Sequence, residues 1–393
     1  MRRFFEKLEQ TAIDVIMGRR TGKYATLLCA LLLYASYLYR KIVAFRLALY
    51  RSRLFRQHII GCPVVSIGNL TVGGTGKTPI VEKLARELNA RGRHVAILSR
   101  GYKSIPKPFW KRLKERFSKH QDFFAPRVVS EGGALLLDSR TAGDEPFMLA
   151  KNLKEVAVLV DRDRVKSGLY AIKHLGCDLL LLDDGLQYLK LRHRFDIVLI
   201  DREAPFGNEF LLPRGTLREP PENLRRATHI IITKCTGSDL SELHERIRKY
   251  NRTAEIIECR HRPVELCNML TGELLSLDHL KNLKIGVLSG IASPESFEQG
   301  LRHLGAELVL TQSYADHHRY SRQEIERFMR RCARRELSMI LTTEKDAVRI
   351  PRLTDAEIPI YYLRIEIEIL KGADVWNRMV DRLAIRPAGR IEV

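Results

Sequence analysis

The chain has 393 residues, 45% hydrophobic and 29% charged, which is ordinary for a folded protein and ample for a large core. Its 67 Lys and Arg against 47 Asp and Glu give a net charge of +20, a field that favours nucleic acid, an anionic bilayer or a phosphorylated substrate as partner. The seven cysteines form no C-x-x-C pair, which excludes a recognisable zinc site and fits reduced thiols in a cytosol-facing protein. At the N-terminus, Ala25 to Tyr39 is uncharged and mostly apolar, flanked by Arg19, Arg20 and Lys23 before it and Arg40 and Lys41 after it. Fifteen residues fall short of the ~20 needed to span a bilayer. The run passes into the basic amphipathic stretch KIVAFRLALYRSRLFR rather than a cleavage site. An interfacial helix is expected, with a buried core helix and a spanning segment as the alternatives.

From Pro63 onward, strand and helix patterns alternate. PVVSIGNL reads as a buried strand, TPIVEKLARELNARG as a helix with Ile80, Val81, Leu84 and Leu88 on one face, and HVAILSR as the next strand. Further apolar runs follow at 156–160, 178–183, 196–200 and 229–233. The expected fold is α/β: a P-loop NTPase-like, doubly wound, mostly parallel sheet. A second set of runs from residue 284 predicts a smaller α/β domain, with Glu258 to Leu277 as the connection. The division is then 1–55 for the N-terminal segment, 56–260 for the nucleotide-binding core and 261–393 for the C-terminal domain. Lys103 to Arg127 interrupts this pattern with eight basic and two acidic residues interleaved with aromatics. It reads either as a second membrane contact or as a surface excursion.

The chemistry begins at GGTGKT, which follows a buried strand and opens a helix. Backbone N–H groups of Gly73, Gly74, Thr75, Gly76 and Lys77 can line one anion-binding concavity there. Lys77 would reach the β- and γ-phosphates, and Thr78 would hold Mg²⁺. Thr71 stands where the strict motif has its first glycine. DLLLLDDG places Asp183 and Asp184 at the end of an apolar strand, the Walker B arrangement for a metal. In IIITKCTG, Thr236 replaces the aspartate that reads guanine, so ATP is the expected nucleotide. Asp144, in GDEPFML, is either a helix cap or a base for an acceptor hydroxyl. His317, in YADHHRYS, is either a surface residue or a partner for a carboxylate.

Together these motifs resemble the tetraacyldisaccharide 4′-kinases of lipid A biosynthesis. The matching pieces are IGNLTVGGTGKTP, ILSRGYKS, AGDEPFMLA, DRDRVKSG, LLDDGLQYLKL, LLPRGTLREP, ITK, ADHHRYS and LTTEKDAV, in order from about residue 64 to 348. The resemblance implies transfer of the ATP γ-phosphate to the 4′-hydroxyl of a tetraacyl glucosamine disaccharide 1-phosphate, an anionic glycolipid. The place implied is the cytoplasmic face of the bacterial inner membrane. It implies Asp144 as base with His317 paired to it, Lys77 and Thr78 on phosphates and metal, Asp183 and Asp184 as the Walker B pair, and Arg164 on the acidic lipid. Tyr188 departs from the family, which often has histidine there, and the 103–127 insertion is longer than the family leads one to expect. Two rival readings are a membrane-associated P-loop ATPase switch and a nucleic-acid binder. For the second, no helix-turn-helix, RRM or zinc signature is present, so no nucleic-acid partner is expected.

Overall fold

The computed structural model of the chain describes residues 15–16, 22–102, 104–105, 125–353 and 357–386. Arg19 and Arg20, and most of the basic aromatic stretch, including both readings of it, lie outside the described residues. The chain forms two compact units. One comprises Met1–Lys77, Asp178–Arg260 and Ile369–Val393, and the other Thr78–Cys177 and His261–Glu368. Both are α/β with mostly parallel strands, as the alternating pattern implies.

In the first unit the phosphate-loop strand Val64–Asn69 is buried at every position, as a run of apolar and β-branched residues in a central parallel strand must be. It pairs in parallel with Leu179–Asp183 on one side and Phe195–Asp201 on the other. His229–Thr233 then pairs in parallel with Phe195–Asp201. Ile67 stands in register with Asp183, so the end of the acidic strand lies beside the exit into the phosphate loop. Gly68 makes this close approach possible. A Cβ there would stand 2.7 Å from the Leu186 Cβ and 2.9 Å from its backbone nitrogen. Beneath the sheet lies a core that includes Leu70, Leu186, Val198, Phe206, Leu217 and Ile230.

The N-terminal apolar run and the basic stretch after it form one helix, Lys23–Arg51, of 29 residues and about 43 Å. By length and composition it is long and apolar enough to cross a membrane. Only Ser36 and Leu47 are buried, so it is not a core helix. Tyr24, Leu27, Leu31, Tyr34, Leu38, Ile42 and Phe45 form an exposed apolar stripe at spacings of three and four. The opposite side is bonded to the body of the unit. Ser36 Oγ donates to the Leu211 carbonyl (2.8 Å), Tyr39 to the Arg218 carbonyl (2.9 Å) and Arg46 to the Gln187 carbonyl (2.9 Å).

In the second unit, Val95–Ser99 pairs in parallel with Ala157–Val160, and Arg127–Glu131 runs antiparallel along the latter. A second parallel set is ordered Glu307–Ser313, Lys284–Ser289, Met339–Thr343 and Ile360–Lys371. The stretch expected as a connection, Glu258 to Leu277, carries most of the strand Glu255–Asn268, within which the chain passes from one unit to the other, and whose later residues pair with Leu274–Ser276. The helix Arg322–Ala333 starts at a reciprocal cap, in which Ser321 accepts from the Glu324 backbone and Glu324 accepts from that of Ser321.

Candidate active site

The phosphate loop is shaped by residues around it. Gly73 and Gly76 take φ of +117° and +78°, which side chains rarely adopt. The non-glycine Thr71 is accommodated because Asn69 Nδ2 donates to its carbonyl at 2.8 Å, while Val72 N–H donates to the Thr216 carbonyl at 2.7 Å. Thr233 Oγ1 donates to the Thr75 carbonyl at 3.0 Å. The loop is therefore fixed from two neighbouring segments before any ligand arrives. Lys77 opens the helix Lys77–Ala90, and its ammonium donates to Asn69 Oδ1 at 3.1 Å. Asn69 thus spends its amide on the loop and its carbonyl on the lysine. Thr78, next in the helix, is buried.

Asp183 ends its strand and is buried, and Asp184 follows at φ +55°. Asp184 faces two cations: Lys77 Nζ lies 3.6 Å from Oδ1, and Arg218 Nη1 donates to both oxygens at 2.8 and 2.7 Å. Arg218 N–H in turn donates to the Leu70 carbonyl at 2.7 Å. No cluster of three His, Cys, Asp or Glu side chains occurs among the described residues. Mg²⁺ does not require one, because it binds through one or two carboxylates together with substrate phosphates. A buried carboxylate at a strand end and a hydroxyl next to the phosphate-loop lysine suit that donor chemistry. At the end of the next strand but one, Lys234 of the ITK motif pairs with Asp201 at 2.6 Å. Burial opposes its charge, but Asp201 and Glu203 outweigh burial and hold its pKa above the ordinary value.

Asp144 lies in the second unit. It is the first residue of the helix Asp144–Asn152, whose N-cap position is Gly143, so its side chain is not a cap. Gly143 has φ +96°, and a Cβ there would come within 3.0 Å of the Tyr102 carbonyl. The Asp144 carboxylate is 5% exposed and surrounded by donors. Arg319 Nη2 donates to Oδ1 at 2.8 Å, Arg349 Nε donates to Oδ2 at 2.8 Å, and His317 Nδ1 lies 3.4 Å from Oδ2. Burial works against ionisation. The Arg349 and Arg319 guanidiniums, with the Arg349 hydrogen bond, outweigh it and hold the carboxyl below its usual range. His317 sits at φ +66°, with its N–H donating to the Gly290 carbonyl. Beneath them, Asp346 is fully buried, accepting from Thr343 Oγ1, Gly290 N–H and Arg349 Nη1.

The structure therefore joins Lys77 with Asp184 in one cluster and Asp144 with His317 in another. Arg164 is buried at the start of the helix Arg164–Leu175, where Asp163 caps the helix and Asp161 pairs with Lys166 at 2.6 Å. The sequence reading gave no role to Asn69, Arg218, Arg319, Asp346 or Arg349. Arg218 lies within the quoted LREP, Arg319 directly after DHH and Arg349 just past TTEKDAV, so motif adjacency was the available signal.

A family model described as LpxK, tetraacyldisaccharide-1-P 4′-kinase, matches residues 28–384, which include every residue of both clusters. A tetraacyldisaccharide 4′-kinase of Anaeromyxobacter dehalogenans (strain 2CP-C) is 40% identical over 320 residues, 80% of this chain and 80% of its own. One from Syntrophus aciditrophicus (strain SB) is 37% identical over 319 residues, 78% of this chain and 80% of its own. A crystal structure of LpxK from Aquifex aeolicus in complex with ATP matches with a TM-score of 0.71 at 29% identity, covering 91% of this chain and 100% of that one. On a match of this extent, carrying both the phosphate loop and the Asp144 cluster, the chain belongs to the tetraacyldisaccharide-1-P 4′-kinase family.

Proposed function

We propose that this chain binds ATP at the Gly73–Thr78 loop and transfers its γ-phosphate to the 4′-hydroxyl of a tetraacyl glucosamine disaccharide 1-phosphate. Lys77 and Arg218 are the cations at the phosphates. Both rest on Asp184, which holds them in place until the more anionic polyphosphate arrives. A Mg²⁺ bound with ATP would neutralise charge on the transferring group. Since Asp184 already faces Lys77 and Arg218, we assign that ion to Asp183 and Thr78. Asp144 accepts the proton of the sugar hydroxyl. The O–H bond breaks as the new O–P bond forms, and the bond from phosphorus to the ADP oxygen breaks with its electron pair leaving on ADP. In-line transfer requires that hydroxyl and γ-phosphate meet at about 3–3.5 Å. Arg164 is kept as the residue for the acidic lipid.

The observation that carries the reading is Asp144, a buried carboxylate held ionised by two arginines. Placement at the cytoplasmic face of the inner membrane is supported by the exposed apolar stripe on the helix Lys23–Arg51. The bonds from Ser36, Tyr39 and Arg46 to the protein body fit a helix lying along the surface better than one crossing it. The test is γ-labelled ATP with the tetraacyldisaccharide 1-phosphate in detergent micelles. Label should enter the lipid and be lost with Lys77→Ala. Label released only as free phosphate would establish the ATPase switch instead.

A further inference from the structure

The Asp144 cluster contains one contact that the proton-transfer reading does not use. The Arg349 side chain is fully buried, and each of its three nitrogens has a partner. Nε donates to Asp144 Oδ2 at 2.8 Å. Nη1 donates to the Gly290 carbonyl at 3.0 Å and to Asp346 Oδ1 at 3.1 Å. Nη2 lies 3.0 Å from His317 Nδ1. A guanidinium has donors and no acceptor, so a bond at that last position requires Nδ1 to present its lone pair. The same Nδ1 lies 3.4 Å from Asp144 Oδ2. It cannot donate to the carboxylate while it accepts from Arg349, and the Arg349 contact is the shorter.

We propose that Arg349 is the positioning residue of this site. It sets the orientation of the Asp144 carboxylate and fixes His317 as the neutral tautomer with its proton on Nε2. The inference rests on the reading of Asp144 as proton acceptor. It changes the part His317 plays there. The imidazole does not hand Asp144 a proton or take one from it through Nδ1. It is packed against the pair by Arg349, and its Nε2–H points to the side where Asp316 Oδ2 stands 3.8 Å away. The proton that Asp144 accepts must therefore leave to solvent or product, because Arg349 occupies the route through the ring. The charged and titratable groups facing the cluster are Asp144 from its helix, Asp316 and Arg319 from the loop carrying His317, the buried Tyr320 beside Asp346 and Arg349, Asp346 from the turn Glu344–Ala347, and the edge of Tyr102, whose ring centroid is 5.8 Å from that of His317.

Two readouts on the full-length protein in detergent test this. The first is ¹⁵N NMR of imidazole-labelled protein at about pH 8, above the ordinary histidine pKa, with the His317 signals identified by their loss in His317→Gln. The expected spectrum has Nε2 protonated and Nδ1 as an unprotonated, hydrogen-bonded acceptor. A protonated Nδ1 would overturn the proposal, and this readout requires no activity. The second is Arg349→Lys, which keeps one charge and cannot span the four acceptors. It should lower kcat about tenfold or more, with the KM values for ATP and lipid within about threefold, and release His317 into a mixture of tautomers. An unchanged kcat in a folded Arg349→Lys protein, with lipid labelled by the wild type, refutes the positioning role and leaves the kinase reading standing. Failure of the wild type to label lipid refutes the kinase reading, and the tautomer measurement still decides the assignment of Nδ1. If Arg349→Lys does not fold, the wild-type spectrum alone decides.

Discussion

Asp144→Asn separates chemistry from architecture, because it keeps size and one acceptor oxygen while removing the charge. Two guanidiniums then lose their shared counter-charge. Arg319, with its side chain 35% exposed, can turn toward water, but Arg349, at 0%, cannot. Removing one partner of a buried ion pair costs about 3–5 kcal/mol. Arg349 keeps Asp346 and the Gly290 carbonyl, which places the expected loss near the lower end, about 3 kcal/mol. For a unit of this size that is a fall in Tm of roughly 6–12 °C. The sign of the pH dependence follows from the depressed pKa of Asp144. Its folded-state value lies below its unfolded value of about 3.9, so the cluster stabilises fully above that and loses its contribution as pH falls through the folded-state value. Wild type and variant should differ in Tm throughout pH 5–8 and converge only in acid. In the labelled-ATP assay, kcat should fall by about 10² or more with ATP KM little changed. A kcat within about threefold of wild type would refute the base assignment, and equal Tm values at pH 7 would refute the argument from buried charge.

Arg218→Met should raise ATP KM by about tenfold, the scale of one charge-assisted contact of 1.5–3 kcal/mol, with lipid KM unchanged; equal nucleotide affinity by titration calorimetry would remove Arg218 from the phosphate site. Gly68→Ala should destabilise by about 1–3 kcal/mol, because the added methyl meets backbone and Cβ of Leu186, and urea midpoints measure it. Glu344 accepts from Asn152, which also donates to Glu82, and burial together with the Glu82 charge raises its pKa despite the Asn152 bond. A raised carboxyl pKa means that ionisation opposes folding as pH rises. Glu344→Gln should therefore raise Tm at pH 8 and lose that advantage toward pH 4, and an advantage larger in acid would contradict the assignment.

What the sequence made legible is what lies close together along it. The phosphate loop, its helix and the strand-end aspartates are each defined within about ten residues, and the fold class follows from period and length. Asp144 was ambiguous between cap and base because a GDEP stretch satisfies both readings. The cap reading falls because Gly143 takes the N-cap position, and the buried partner that holds the carboxylate, Arg349, lies 205 positions away. No spacing rule reaches that far. Thr71 likewise looked like a defect in the motif, and the compensation comes from Asn69 and from the distant Thr216 backbone. The strand Glu255–Asn268 was hidden by RHRP in its middle, where charges and a proline break the alternation that marks a strand. The N-terminal helix ran past its apolar segment because arginines and lysine are good helix formers and no glycine or proline intervenes before Arg51.

The bonds along that helix bear on how the enzyme meets its substrate. Ser36 and Arg46 are about 15 Å apart on one helix and are both tied to the unit that carries the phosphate loop. Tyr39 reaches the backbone of Arg218, and Arg46 reaches that of Gln187, whose amide donates to the Asn69 carbonyl beside the acceptor of Lys77. A handle fastened at several points cannot swivel. Were its outer stripe seated on lipid, the unit would keep only sliding in the plane and rotation about the membrane normal. The nucleotide would then be carried at a constant elevation above the acyl region, and encounter with a glycolipid would become a two-dimensional search. Under that placement, how far a hydroxyl projects from the bilayer would decide whether it is reached.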